Sequence, residues 1–340
     1  MKKLKIIDLN IIALLLAAIS SVLLRSFALF NSFNSTTMHF EESVAIVVSN
    51  IIVVLFTLAF ISYLFWGKTE EDLIAKTDNA ASYIPAGIVS TAMLFMGVNL
   101  LGDISSRPSG ILHTLSLIAA IFSFLSVGSF FLTVFIEKRN DIYKSAFSLC
   151  VVFFLAIYAS YLYFNKEIHP TNSPNKLVDQ MAYLFSAAFF LYEARIPLGR
   201  AKWRGYVAFG LAASLLTAYS SIPSLIVYAV NGYIVSDSLI ESALTLALFI
   251  FITSKVIQTK KLTSNTECSV AKSIAALAMM REEEIKEQRK LSHERHSNEM
   301  EEKDEGGDAP NYTFDIPYIE TSTDFNPEGA DIDINNPYQE

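Results

Sequence analysis

The sequence predicts an all-α fold: a polytopic transmembrane bundle of about eight helices, followed by a charged cytoplasmic helix and a disordered acidic tail. Three observations carry that reading. Of the 340 residues, 52% are hydrophobic and only 18% charged, whereas about a quarter of an average soluble chain is charged. The apolar residues form long continuous runs rather than amphipathic periods. The basic residues gather in alternate breaks between those runs.

A hydrocarbon core of about 30 Å needs about 20 apolar residues at about 1.5 Å each. Eight windows approach that length: 9–30, 44–66, 83–101, 111–136, 145–164, 177–198, 206–230 and 239–256. They are expected to be helices, because lipid cannot satisfy an unpaired backbone. Strands of a barrel would alternate over about ten residues, and these runs do not. The sixth window is the least secure. Its apolar stretch covers only 181–192, with Asp179 before it and Glu193 and Arg195 after it. Without it the chain would cross seven times and its ends would lie on opposite sides.

Loop charge favours eight crossings with both ends cytoplasmic. On that reading the cytoplasmic breaks carry 15 Lys and Arg, among them Lys2, Lys68, Lys138, Arg195, Arg200 and Lys260. The opposite loops carry only Arg107, Lys166 and Lys176, with Arg25 in the outer end of the first helix. Such a bias marks the cytoplasmic side. Trp66 and Trp203 fall at the same interface, and Tyr163, Tyr228 and Tyr233 near the outer one. The basic start followed by 11–18 resembles a signal peptide, but the apolar run continues through Phe27 and reads as an uncleaved anchor.

The chain thus divides into a transmembrane domain at 1–258, a charged cytoplasmic helix at 259–305 and a disordered tail at 306–340. Residues 257–340 hold 19 of the 34 acids and 9 of the 26 Lys and Arg, so the acidity belongs to the tail. The helix has good formers and a Glu282–Lys286 pair. The tail has too few aliphatics to offset its ordering entropy; within it Phe314, Ile316, Tyr318 and Ile319 form an apolar cluster that could dock on a protein partner. Cys150 and Cys268 offer no disulfide framework and no metal spacing. No phosphate-cradling, dinucleotide or zinc motif is present, and no cofactor or nucleic-acid partner is expected.

Ionisable groups inside a membrane are costly and mark function. No window has a charge at its centre. The polar candidates lie near the ends: Arg25, Asp103, Arg107, His113, Asp179, Asp237 and Glu241 on the outer side, and Glu193 with Arg195 on the inner. About 14 residues, or about 21 Å of helix, separate Asp179 from Glu193, so one end of that window must be submerged or covered by protein. Arg195, two residues on, is on another face, leaving Arg200 or Lys202 as partners for Glu193. Ser220, Ser221 and Pro223 could locally break the seventh helix; a kink satisfied by its neighbours is the simpler expectation.

Two resemblances bear on function. Ser106-Arg107, five residues and His113 resemble part of the type 2 lipid phosphatase motif, whose His is the nucleophile. Leu117 stands where that family has Asp, and its Lys-x6-Arg-Pro element is missing, so phosphatase chemistry ranks third. Residues 191–200, Leu-Tyr-Glu-Ala-Arg-Ile-Pro-Leu-Gly-Arg, with Tyr206-Val-Ala-Phe209, resemble a stretch in uncharacterised multi-pass membrane proteins of clostridial-type bacteria. That resemblance implies a bacterial cell membrane and carries no activity. The expected function is a non-enzymatic scaffold or sensor in the lipid bilayer whose cytoplasmic tail binds a protein partner. A small-solute transporter or channel ranks second, because no ionisable group is expected mid-membrane.

Overall fold

The structure, a computed structural model, describes residues 6–34, 39–40, 43–66, 80–106, 110–135, 141–165, 174–196, 202–232, 238–262, 286–287 and 290–291. It contains eight long helices: α1 (Ile6–Asn31), α2 (Val44–Trp66), α3 (Ala80–Ser106), α4 (Ile111–Phe135), α5 (Asp141–Phe164), α6 (Pro174–Glu193), α7 (Trp203–Asn231) and α8 (Leu239–Leu262). A two-residue hairpin joins α1 to α2, with β1 (Phe33–Asn34) antiparallel to β2 (His39–Phe40). The helices belong to one compact unit, residues 1–280. Of the charged helix and tail expected beyond 262, only Lys286, Glu287, Lys290 and Leu291 are described, and they are helical; the rest of those two segments lies outside the described residues.

Seven of the eight helices are long and apolar enough to cross a membrane, and α6 is the eighth. The protein is an integral membrane protein. Its exposed side chains agree, since Leu16, Leu23, Phe27, Val44, Phe65, Ile84 and Phe131 all point outward. Large apolar patches of this kind face lipid or a partner, not water.

Side-chain pairs give the direction of each helix. Along α6 and α8 the contacts Tyr183–Thr245, Phe190–Phe251 and Glu193–Lys255 advance together, so these helices run parallel. Asp179 meets Ser220 and Phe189 meets Tyr206, so α6 and α7 are antiparallel. Tyr158 meets Tyr183 and Ser145 meets the Ala194 carbonyl, so α5 and α6 are antiparallel too. Helices α5 and α7 therefore point the same way, and α6 must carry the chain back between them. At 20 residues and about 1.5 Å per residue it is about 30 Å long, enough for one crossing. Eight crossings return the end of α8 to the face where α1 begins, here called the near face.

Helices α3, α4, α5, α6, α7 and α8 pack each on the next, and α8 closes back on α3, forming a ring of six. Phe130 of α4, Phe190 of α6 and Phe251 of α8 meet pairwise at 5.2–5.8 Å between ring centroids and fill its near half. Helices α1 and α2 pack on each other and against α7. Helix α7 is consequently buried along nearly its whole length.

Lipid tails are as apolar as leucine, so helices associate in membranes through close packing and internal hydrogen bonds. Helix α7 meets that demand with small residues. A Cβ on Gly205 would collide with the Tyr192 ring, and one on Gly210 would lie 2.6 Å from Val256 Cγ2. Helix α7 also runs unbroken through Pro223. Around the proline, Ser221 donates to the Thr217 carbonyl and Ser224 to that of Ser220, so side-chain hydroxyls support the turn, as neighbouring groups do in membrane helices. Gly232, at φ 73°, ends the helix by donating its N–H to the Tyr228 carbonyl.

Reporter fusions active on one side of a membrane only, placed after residue 200 and after residue 262, are expected to report the same side, and a fusion within 166–173 the other. The same reading within 166–173 and after 200 would remove α6 as a crossing. A second test is Gly210→Val, expected to lower stability in detergent by about 1–3 kcal/mol through overpacking against Val256.

Candidate functional site

Arg25 lies five residues beyond Ser20, the middle of the span 9–31. That is about 7.5 Å of helix, well within the half-thickness of about 15 Å. It is 1% exposed. The sequence places it in the outer part of the first window, and its position in α1 agrees; what the structure adds is its burial against α6 and α7.

Two other helices, α6 and α7, supply the groups around the guanidinium. Arg25 Nη2 donates to Asn175 Oδ1 of α6 at 2.9 Å. Its face lies over the Tyr219 ring of α7, 4.4 Å from the centroid, which replaces part of the lost hydration by cation–π attraction. Asp179 of α6, one turn on from Asn175 and 5% exposed, adds a compensating field. Asp179 Oδ1 accepts a short hydrogen bond from the Ser220 hydroxyl. Tyr219 in turn donates to Asn50 Oδ1 of α2 at 2.6 Å and lies 2.8 Å from Ser49 Oγ. One polar chain thus links α1, α6, α7 and α2. Toward the far face it is covered by apolar groups, Leu29 and Val227 packing with Phe33 and Phe40 of the hairpin.

This arrangement decides which end of the sixth window is submerged. Helix α6 begins at Pro174, not 177, and ends at Glu193, not 198. Asp179 therefore lies inside the helix, and Arg195 falls beyond it in a turn. The shift has a local cause. Asn175 and Asp179 gain partners by entering the bundle, whereas 196–198 would have to extend past the interfacial Glu193.

The remaining predicted residues fall elsewhere. Asp103, near the end of α3, accepts from the Tyr161 hydroxyl of α5 at 3.0 Å. Lys176 donates to the Asn165 carbonyl at the end of α5 at 2.5 Å, a cation on a helix C-terminus. These groups stitch α3, α5 and α6 at the far face. Glu241 is buried in the first turn of α8, where its backbone N–H donates to Ser238 Oγ at 3.0 Å; Ser238 and Glu241 have the spacing of a capping box. His113 is half-buried in the first turn of α4. Arg107 and Asp237 lie outside the described residues.

At the near face Glu193 pairs with Lys255 of α8 at 3.1 Å. Of the partners expected from the sequence, Lys202 is not the one and Arg200 lies outside the described residues; the parallel run of α6 beside α8 brings Lys255 to it. Arg195 instead lies 5.6 Å from the Tyr192 ring centroid. Asn175, Tyr219, Asn50 and Lys255 were missed as site residues. Asn50 had a readable signal, an amide within an aliphatic run. Lys255 had been read only as a loop charge.

Compared with family profiles, curated proteins and solved structures, the chain matches none. The functional reading therefore rests on geometry.

Removing one partner of a buried ion pair strands the other charge, at about 3–5 kcal/mol. Glu193 is partly exposed, so Lys255→Met is expected at the low end, about 3 kcal/mol, in denaturant titrations of the detergent-solubilised protein. Glu193→Gln combined with Lys255→Met should recover most of that loss. A double variant as unstable as the single one would show that the ion pair is not what Lys255 contributes.

Proposed function

We propose that this membrane protein transports a small polar solute through the site at Arg25 and Asp179. One observation carries the reading: two opposite charges lie deep within the bundle, each held by a different neighbour and not by the other. Arg25 donates to Asn175, and Asp179 accepts from Ser220. Charges at that depth are expensive and usually serve ions, substrates or protons. The argument that ranked transport second was the lack of such groups, and Arg25 and Asp179 remove it.

The surroundings suit movement. Pro223 lies one turn beyond Tyr219 and Ser220, and hydroxyl-supported proline turns are places where membrane helices bend. The pair α1–α2 is tied to the six-helix ring chiefly through α7, so it can shift against the ring without opening the ring's aromatic core. The near face is cytoplasmic in this proposal, on the 15-to-3 bias of basic residues, and the membrane is the plasma membrane of a bacterium, on the clostridial resemblance. No catalytic step is assigned. The scaffold or sensor reading retains the charged tail as its support, and loss of a co-purifying partner on truncation after residue 262 would favour it.

The test is uptake by proteoliposomes offered a panel of labelled amino acids, carboxylates, amines, sugars and inorganic ions. At least one class should accumulate above protein-free vesicles. Arg25→Met and Asp179→Asn should each cut that flux about tenfold or more, equivalent to about 1.4 kcal/mol. Accumulation of nothing, or flux indifferent to both substitutions, would overturn the proposal.

A further inference from the structure

Three donors at this site have no acceptor among the described residues: Nε and Nη1 of Arg25 and Nδ2 of Asn175. Both side chains are buried, at 1% and 2% exposure. The carboxamide orientation is dictated, since a guanidinium can only donate. Asn175 must turn Oδ1 toward Arg25, which leaves its two Nδ2 hydrogens directed elsewhere. An unmet buried donor is costly; some hydroxyls of the bundle, such as Ser26 and Ser214, also lack a partner among the described residues, while others do not. Ser21, Ser49, Thr217, Ser221 and Ser224 all bond back to carbonyls of their own helices.

The opposite pole is unsaturated as well. An ionised carboxylate has about four acceptor positions, and Asp179 uses one, at Oδ1, for Ser220. Its Oδ2 takes no hydrogen bond among the described residues. Arg25 and Asp179 act on each other electrostatically but do not join. A donor-rich cation and an acceptor-rich anion thus stand side by side, each incompletely bonded, while the Tyr219 ring covers the guanidinium face and leaves its edges for hydrogen bonds.

We infer that these two poles form a binding site for a small zwitterion of the α-amino-acid class, its carboxylate on Arg25 and Asn175 and its ammonium on Asp179. This rests on the transport reading and names its substrate class. Charge balance excludes singly charged ligands, and the paired open donors and acceptors favour a zwitterion over a neutral solute. With Asp179 ionised, Arg25 and Asp179 sum to zero, so a monoanion would leave the occupied site at −1 and an amine would leave it at +1. Moving an unbalanced charge out of water costs several kcal/mol. A zwitterion adds no net charge, and it supplies acceptors to the three open donors and donors to the open carboxylate positions.

The test uses the full chain in detergent or nanodiscs, with calorimetric titration and thermal unfolding as readouts. The probes are the common amino acids singly, together with propionate and ethylamine, which each keep one pole of alanine. At least one amino acid should bind and raise the unfolding midpoint, while propionate and ethylamine do neither at about tenfold higher concentration, a margin of about 1.4 kcal/mol. Asn175→Ala, Asp179→Asn and Arg25→Lys should each weaken binding about tenfold or more on the same scale. Arg25→Met with Asp179→Leu provides a variant without stranded charge, expected to elute as folded protein and to bind nothing; amino-acid binding by it would place the site elsewhere and overturn the inference. So would propionate binding as tightly as alanine, or no amino acid binding at all. If no amino acid binds but vesicles accumulate another solute, the zwitterion falls and transport stands; if an amino acid binds without flux, the site stands and transport falls.

Discussion

The guanidinium of Arg25 sets the terms for half of the bundle. A cation about 7.5 Å from the middle of its helix cannot be left to lipid, and water is too far away to solvate it. The protein accommodates it with a ring, an amide and a carboxylate from two other helices. Each of those groups needs support in turn. Tyr219 is fixed by Asn50, and Asp179 by Ser220. The requirement that nothing polar be stranded at that depth therefore propagates from α1 into α6, α7 and α2, and it ties the outer pair α1–α2 to the ring.

Helix α7 can serve all these partners because it is slender. Gly205 and Gly210 let Tyr192 and Val256 approach its backbone, and Ala208, Ala212, Ala213 and Ala218 are buried along its length. Hydrogen bonds between membrane helices contribute only about 0.6 kcal/mol on average, so close packing must hold the ring and the polar chain must set its register. The two halves differ accordingly. The near half is filled by Phe130, Phe190 and Phe251 and clasped by Lys255 and Glu193. The far half carries the Arg25 corner with its amides, hydroxyls and carboxylate.

Much of the architecture was legible beforehand. Seven windows match their helices to within a few residues, because about 20 continuous apolar residues admit one structure in lipid. Loop charge also recovered the eighth helix, which hydropathy alone does not. The site was legible only in part. Asp179 and Glu193 stood out because they bracketed a short window, but the sequence could not say which of them lay inside. Arg25 was noticed, but its burial against α6 and α7 was not readable. Asp103 and Glu241 were noticed too, and they prove to be a tie between helices and part of a helix start. Asn175 gave no signal, because an Asn beside a loop is ordinary until an Arg from 150 positions earlier in the chain reaches it.

By itself, then, the sequence determined the class of molecule and the number of long helices, since these follow from run length and local charge against a solvent of known thickness. Only the tertiary structure decided which charges meet. Asp179 goes to the Arg25 corner and Glu193 to Lys255 because α6 runs antiparallel to α7 and parallel to α8. That arrangement is a property of helix order in the bundle, and no local pattern along the chain encodes it.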